Sequence, residues 1–221
     1  MEKQLKPYRE VREQMRPGDI IAFGGRSRFS ELIKFSTRSN VSHVAMVFQS
    51  KMLNDNKDRY FNQVMEATTY QQFSGVMVNR LSERIANYNG EVWWLPLGES
   101  ARQQFNDEQE ACFEFAMSQE RKPYDMPQAL RSAIDIDKDW GIFDLLSRNN
   151  EDFTSFFCSE LSSAMLEAAK VLPTINASEI TPIDLCRFDI FAERYVQLKG
   201  EPKPIRGYNS ICPTWWQDSV T

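Results

Sequence analysis

Between residues 19 and 97 the chain repeats one pattern: a short apolar run, a break, then another short apolar run. The runs are Ile20–Phe23, Val41–Phe48, Phe61–Ala67, Gly75–Arg80 and Glu91–Leu97. Parallel pairing needs a crossover of a dozen or more residues for each step, and long helices are missing between these runs. They therefore predict an antiparallel sheet made mostly from residues 19–97. Arg16-Pro17-Gly18-Asp19 reads as the turn into the first strand, organised by Asp19, and Gly24-Gly25 as the break that ends it. Phe29 to Thr37 reads as a helix with Phe29, Leu32, Ile33 and Phe35 inward, and 54–58 as a polar loop.

After Gly98 the period changes from two to that of a helix. Residues 101–120 place Phe105, Ala111, Cys112, Phe115 and Ala116 on one face, and Lys122-Pro123-Tyr124-Asp125 stops that helix. A further helix is expected from Met126, another beginning at Cys158 and ending before Pro173, and a short one opened by Thr181-Pro182. The class is α+β in one domain, 1–221, with its core at about 16–190. Residues 1–15 read as an arm or short helix, 135–152 as an acidic exposed insertion, and 201–221 as an extended tail that packs by Trp215-Trp216.

Composition narrows the function. With 221 residues and a net charge of −5, the chain is long enough for a substantial core and lacks the positive field that phosphate backbones or anionic lipids require. Nucleic acid is therefore not an expected partner. Met1-Glu2-Lys3-Gln4-Leu5-Lys6-Pro7 has no apolar signal region, no run reaches membrane-spanning length, and the expected location is cytoplasmic. The four cysteines, Cys112, Cys158, Cys186 and Cys212, are dispersed and read as free thiols.

The chemistry starts from the single histidine, His43, placed inside the apolar run Val41–Phe48 with Val41, Ala45 and Val47 on its face. Cys158 opens a helix-like run after Phe156-Phe157. A thiol at a helix N-terminus beside an imidazolium is the usual setting of a reactive thiolate, and its backbone N–H is a ready oxyanion donor. Glu66 ends the apolar strand Val64-Met65-Glu66-Ala67, where it can orient the ring through its far nitrogen. Each has a plainer reading alone: Cys158 a small buried residue, His43 a satisfied core histidine, Glu66 a surface acid. Taken together, they point to a nucleophile, a base and an orienting acid.

The blocks Pro17-Gly18-Asp19-Ile20-Ile21, Ser42-His43-Val44, Glu66-Ala67, Lys122-Pro123-Tyr124-Asp125, Phe157-Cys158-Ser159-Glu160-Leu161 and Thr181-Pro182-Ile183-Asp184-Leu185 follow one another in a familiar order. The chain resembles the circularly permuted papain-like cysteine hydrolases of the NlpC type, especially the YiiX-like group, over roughly residues 16–190. In the permuted branch the histidine strand precedes the cysteine helix. The resemblance implies a small antiparallel sheet packed against the nucleophile helix. It also implies Cys158 as nucleophile, His43 as general base, Glu66 as orienting residue, and Tyr124 lining the substrate site. The family includes hydrolases of peptidoglycan peptides, lipid-type acyl groups and other amides. The expected substrate is therefore a small-molecule, peptide or lipid-like amide or ester, with no cofactor and no metal.

Other chemistries find no support in the residues. Arg26, Arg28, Lys34 and Arg38 read as a solvated helix face, or as contacts to an anionic group. Gly24-Gly25-Arg26-Ser27-Arg28 lacks the spacing of a phosphate loop. Zinc fails on ligand count, a serine triad lacks Gly-x-Ser-x-Gly, and Asp135-Ile136-Asp137-Lys138-Asp139 lacks the glycine and glutamate of a calcium loop. The remaining readings are an acyltransferase with the same dyad, a silent binding protein on the same fold, and a redox thiol that would need a second cysteine nearby.

Overall fold

The computed structural model describes residues 4–25, 39–52, 60–70, 73–122 and 154–218. In chain order these form β1 (Gln4–Leu5), α1 (Tyr8–Val11), β2 (Ile20–Gly25), β3 (His43–Met52), β4 (Tyr60–Tyr70) and β5 (Phe73–Arg80). They continue with α2 (Leu81–Asn87), β6 (Gly90–Leu95), α3 (Glu99–Asp107), α4 (Gln109–Gln119) and α5 (Thr154–Ala168). A 3₁₀ turn (Ala177–Glu179), α6 (Pro182–Arg187), β7 (Val196–Lys199) and α7 (Pro213–Asp218) complete the order.

The strands form one sheet in the order β1-β7-β6-β2-β3-β4-β5. Every pairing is antiparallel except the two-residue parallel contact of β1 with β7. The α+β class and the antiparallel core expected from residues 19–97 are present. The sheet is wider than expected, because Val196–Lys199 and Gln4–Leu5 extend it beyond β6. A two-residue strand carries no periodic signal, and Val-Gln-Leu-Lys is a single alternation after a stretch of loop.

Gly24-Gly25 does not end β2. The strand runs through both, pairing Gly24 with Glu91 and Gly25 with Gly90. The glycine at 24 serves close approach: a Cβ there would stand 2.6 Å from the Asn40 carbonyl oxygen and 2.9 Å from the Trp93 ring.

Two apolar clusters cover the two faces of the sheet. One packs Ile20, Ala22, Val44, Met46, Met65, Ala67, Trp93 and Leu95 against α3, α4 and α5 through Phe105, Cys112, Ala116, Cys158, Leu161 and Met165. The other joins Ile21, Phe23, Ala45, Val47, Val64, Val92 and Trp94 to Leu81 of α2 and to Val11 and Met15 at the N-terminus. Period-two alternation sorts the strand residues cleanly between them. The N-terminal segment is pinned by buried Asn62, whose amide nitrogen donates to the Tyr8 hydroxyl (3.2 Å) and the Arg12 carbonyl (3.0 Å).

Asp19 organises its turn as expected. Its carboxylate accepts from Arg16 N (2.9 Å), Trp94 Nε1 (2.8 Å) and Leu97 N (3.1 Å), and pairs with Arg102. The single helix expected over 101–120 is two, broken at Glu108, whose φ of −118° leaves the helical region. The short helix at Thr181 carries a capping box in which the Thr181 hydroxyl accepts from Asp184 N while the Asp184 carboxylate accepts from Thr181 N.

The described part of the expected tail, residues 201–218, is not extended. Ile205 and Tyr208 enter the core, Ile211 bridges to Phe188, and Pro213–Asp218 is a helix that leaves Trp215 70% exposed. The expected helices at 29–37 and after Met126, the 54–58 loop and the 135–152 insertion lie outside the described residues. Among the described residues no helix is long and apolar enough to cross a membrane.

If Gly24 continues the strand, Gly24→Ala must push the Asn40 backbone or Trp93 aside. A loss of about 1–3 kcal/mol is expected in urea unfolding. An unchanged midpoint would contradict the close approach.

Candidate active site

His43 is the first residue of β3 and pairs with Phe23 of β2. Its ring packs against the Phe23 ring at 5.3 Å between centroids, with 8% of the residue exposed. Glu66 lies on β4 two residues beyond Val64, so it shares the face that carries Ala45 and Val47. His43 Nε2 and Glu66 Oε2 are 2.7 Å apart. Val41, expected on the same face, instead joins the opposite cluster, because β3 begins only at His43.

Cys158 comes from the other side. Its helix, α5, packs on β3 and β4 from the face of Val44 and Met65, and the residue has no exposed surface. The sulfur reaches the imidazole through a seam in the sheet. β3 and β4 are paired from Met46↔Met65 onward, not at the residues before Met46. Val47 N donates to the Asp19 carbonyl on the β2 side, and alternation turns the Val44 N–H the other way, towards β4. There it donates to Cys158 Sγ at 3.4 Å.

The Cys158 sulfur lies close enough to the imidazole for its charge to act on the ring. Since Nε2 faces Glu66, Nδ1 is the ring nitrogen left for the sulfur.

Four donors saturate Glu66. Oε1 accepts from Arg84 Nε (2.6 Å) and Asn79 Nδ2 (2.9 Å), and Oε2 from Arg84 Nη2 (2.9 Å) and His43 Nε2. Burial by itself favours the neutral acid, but Arg84 and then His43 outweigh it and hold the carboxyl at about 2. A carboxylate that is ionised can only accept, so the Nε2 proton belongs to the imidazole. Burial likewise disfavours the imidazolium, yet the charge and hydrogen bond of Cys158, followed by those of Glu66, raise His43 to about 9. Of the other buried thiols, burial pushes Cys112 up to about 12, and Cys186 further still. At Cys186 the Arg187 guanidinium lowers the pKa, but burial outweighs it. Beside the site, the Tyr88 ring packs on Phe23 at 4.8 Å, and burial raises its pKa.

The residues expected at the site are thus brought together in three cases: Cys158, His43 and Glu66. Tyr124, and the cluster Arg26, Arg28, Lys34 and Arg38, lie outside the described residues.

One expectation is corrected. The helix does not begin at Cys158 but one turn earlier, at Thr154. The fifth residue of an α-helix gives its N–H to the carbonyl four residues back, so the Cys158 N–H is committed to the helix and is not an oxyanion donor. Thr154-Ser155 was the missed signal, since hydroxyl residues favour helix starts. Arg84 and Asn79 were also missed. Leu81-Ser82-Glu83-Arg84 reads as a solvated helix turn, and only the fold carries Arg84 inward, where it is 9% exposed. Among the described residues no group of three or more histidine, cysteine or acidic side chains is placed to hold a metal ion.

No protein-family model matches the chain, and none of the curated proteins does. Among solved structures it is similar to the metalloprotein YiiX from Escherichia coli O157:H7, with 28% identity and a TM-score of 0.36. The match covers 51% of this chain and 54% of that one, so the chain spans about half the length of that relative.

The two shifted groups set opposite limits on stability. Glu66, lowered from 4.5 to about 2, contributes stability that is complete above about 4.5 and lost as pH falls towards about 2. His43, raised from 6.5 to about 9, contributes stability that is complete below about 6.5 and lost as pH rises through about 9. In denaturant titrations across pH, the advantage of the native protein over Glu66→Gln should shrink on the acid side. Its advantage over His43→Ala should shrink on the alkaline side. A pH-independent difference in either comparison would contradict the assignment.

Proposed function

We propose that the chain is a cysteine hydrolase of the amidase or peptidase type on a permuted papain-like, NlpC-type fold. The observation that carries this reading is the convergence of Cys158, His43 and Glu66 from α5, β3 and β4, with the imidazole bonded to Glu66 and within reach of the Cys158 charge.

In the reaction this supports, the Cys158 thiolate attacks the carbonyl carbon of an amide or ester and forms the C–S bond. The His43 imidazolium gives its Nδ1 proton to the departing nitrogen or oxygen, and that bond breaks. Water then attacks the thioester while His43 takes its proton. The acid is released and the thiolate restored. Glu66 accepts from Nε2 throughout and keeps Nδ1 turned to the sulfur. The Val44 N–H, at 3.4 Å, donates to the attacking sulfur. When an alcohol or amine replaces water, the same steps make an acyltransferase, and a lipid-like acyl group fits the same chemistry. The complete burial of Cys158 favours a second reading, a silent binding protein on this fold.

Labelling with iodoacetamide at mildly acidic pH, resolved by site with mass spectrometry, separates the two. Cys212, which is partly exposed, serves as the internal reference. The hydrolase reading expects Cys158 to label ahead of Cys212 in the native protein and to lose about tenfold or more in His43→Ala. A Cys158 that is inert, or that labels only as Cys212 does in both proteins, would overturn it.

A further inference from the structure

A carboxylate on a strand can turn about its last torsion, and a hydrogen bond to a single histidine does not stop it. In this site Glu66 is held on both oxygens. Arg84 contacts Oε1 through Nε at 2.6 Å and Oε2 through Nη2 at 2.9 Å, and Asn79 adds a donor to Oε1 at 2.9 Å. What remains open is the part of Oε2 that meets His43 Nε2.

The fork is itself fixed. Arg84 is buried in α2, and its guanidinium lies over the Phe23 ring, 5.7 Å from the centroid. The same ring packs against His43. Phe23 therefore spaces the two cations while Glu66 joins them. We propose that Arg84, assisted by Asn79, is a positioning residue for the Cys158–His43 pair, its two-pronged contact aiming one oxygen of Glu66 at the histidine.

The proposal rests on the hydrolase reading, and its physical consequence is specific. The charged and titratable groups facing Glu66 among the described residues are His43 from β3, Arg84 from α2, and Tyr88 from the segment after α2. Of these, Arg84 is the one whose charge is permanent. Without it, a buried carboxylate facing only an imidazolium draws the Nε2 proton to itself, and the pair becomes a neutral acid and a neutral ring. A ring that has given Nε2–H to the acid must keep its remaining proton on Nδ1. It then cannot take a second proton from the thiol without restoring the ion pair. With Arg84 present the acid stays an acceptor, and the proton stays on the ring. A lysine supplies charge but not the two-pronged contact, so it restores the ionisation in part and the aim hardly at all.

The test is the carboxyl carbon-13 titration of Glu66 by NMR, its signal assigned by its absence in Glu66→Gln. The comparison covers the native protein, Arg84→Gln, Arg84→Lys and Asn79→Ala. The titration should move up by about one pH unit or more in Arg84→Gln, by less in Arg84→Lys, and least in Asn79→Ala. In step with it, Cys158 labelling at mildly acidic pH should fall in Arg84→Gln.

An Arg84 that only anchors α2 would lower the thermal midpoint and leave the Glu66 titration unmoved. That result overturns the proposal. Should Arg84→Gln not fold, Arg84→Lys decides the matter, and an unmoved titration there overturns it equally. Failure of the hydrolase reading looks different. The native protein would then show no preferential Cys158 labelling, while the titration still responded to Arg84.

Discussion

A carboxylate with no exposed surface has to be compensated or it will not stay charged, and Glu66 is compensated on every side. Removing such a group from water costs several kcal/mol, and only good geometry with all lone pairs occupied offsets it. The four donors come from three elements, β3, β5 and α2. The helix after β5 is thereby tied back across the β4–β5 hairpin, and the one imidazole of the chain is fixed at the start of β3. The site and this end of the sheet are the same construction.

The second constraint is the seam between β3 and β4. Had the two strands paired to their ends, the Val44 N–H would have been used by the sheet, and a helix on the far face would meet only a closed surface. Because described pairing starts at Met46↔Met65, the sulfur of Cys158 takes that N–H, and Cys158 and the imidazole come near each other although their side chains belong to opposite faces. The crossing of α5 over the end of the histidine strand follows from this local opening.

Much of this was legible in the residues. The short runs between 19 and 97 can form little other than antiparallel strands, and a lone histidine inside one of them singles itself out. Cys158 and Glu66 were legible only as partners of that histidine and through the order of the sequence blocks. Arg84 was not legible, because a polar helical turn looks alike whether it faces water or an acid brought from 18 residues upstream. The same limit hid β7. A single alternation such as Val196-Gln197-Leu198-Lys199 becomes a strand only when β6 lies beside it. Gly24 misled for a related reason: glycine marks both a broken strand and a close approach, and only the position of Trp93 and Asn40 distinguishes them.

An imidazolium between Cys158 and Glu66 is what the proposed chemistry requires, and the chain has one histidine, so nitrogen-15 NMR of labelled protein reads that group without ambiguity. The ring should remain doubly protonated until the pH approaches about 9, and Cys158→Ala should lower that value. A ring that titrates near the ordinary histidine value of about 6.5, or one indifferent to Cys158→Ala, would contradict it.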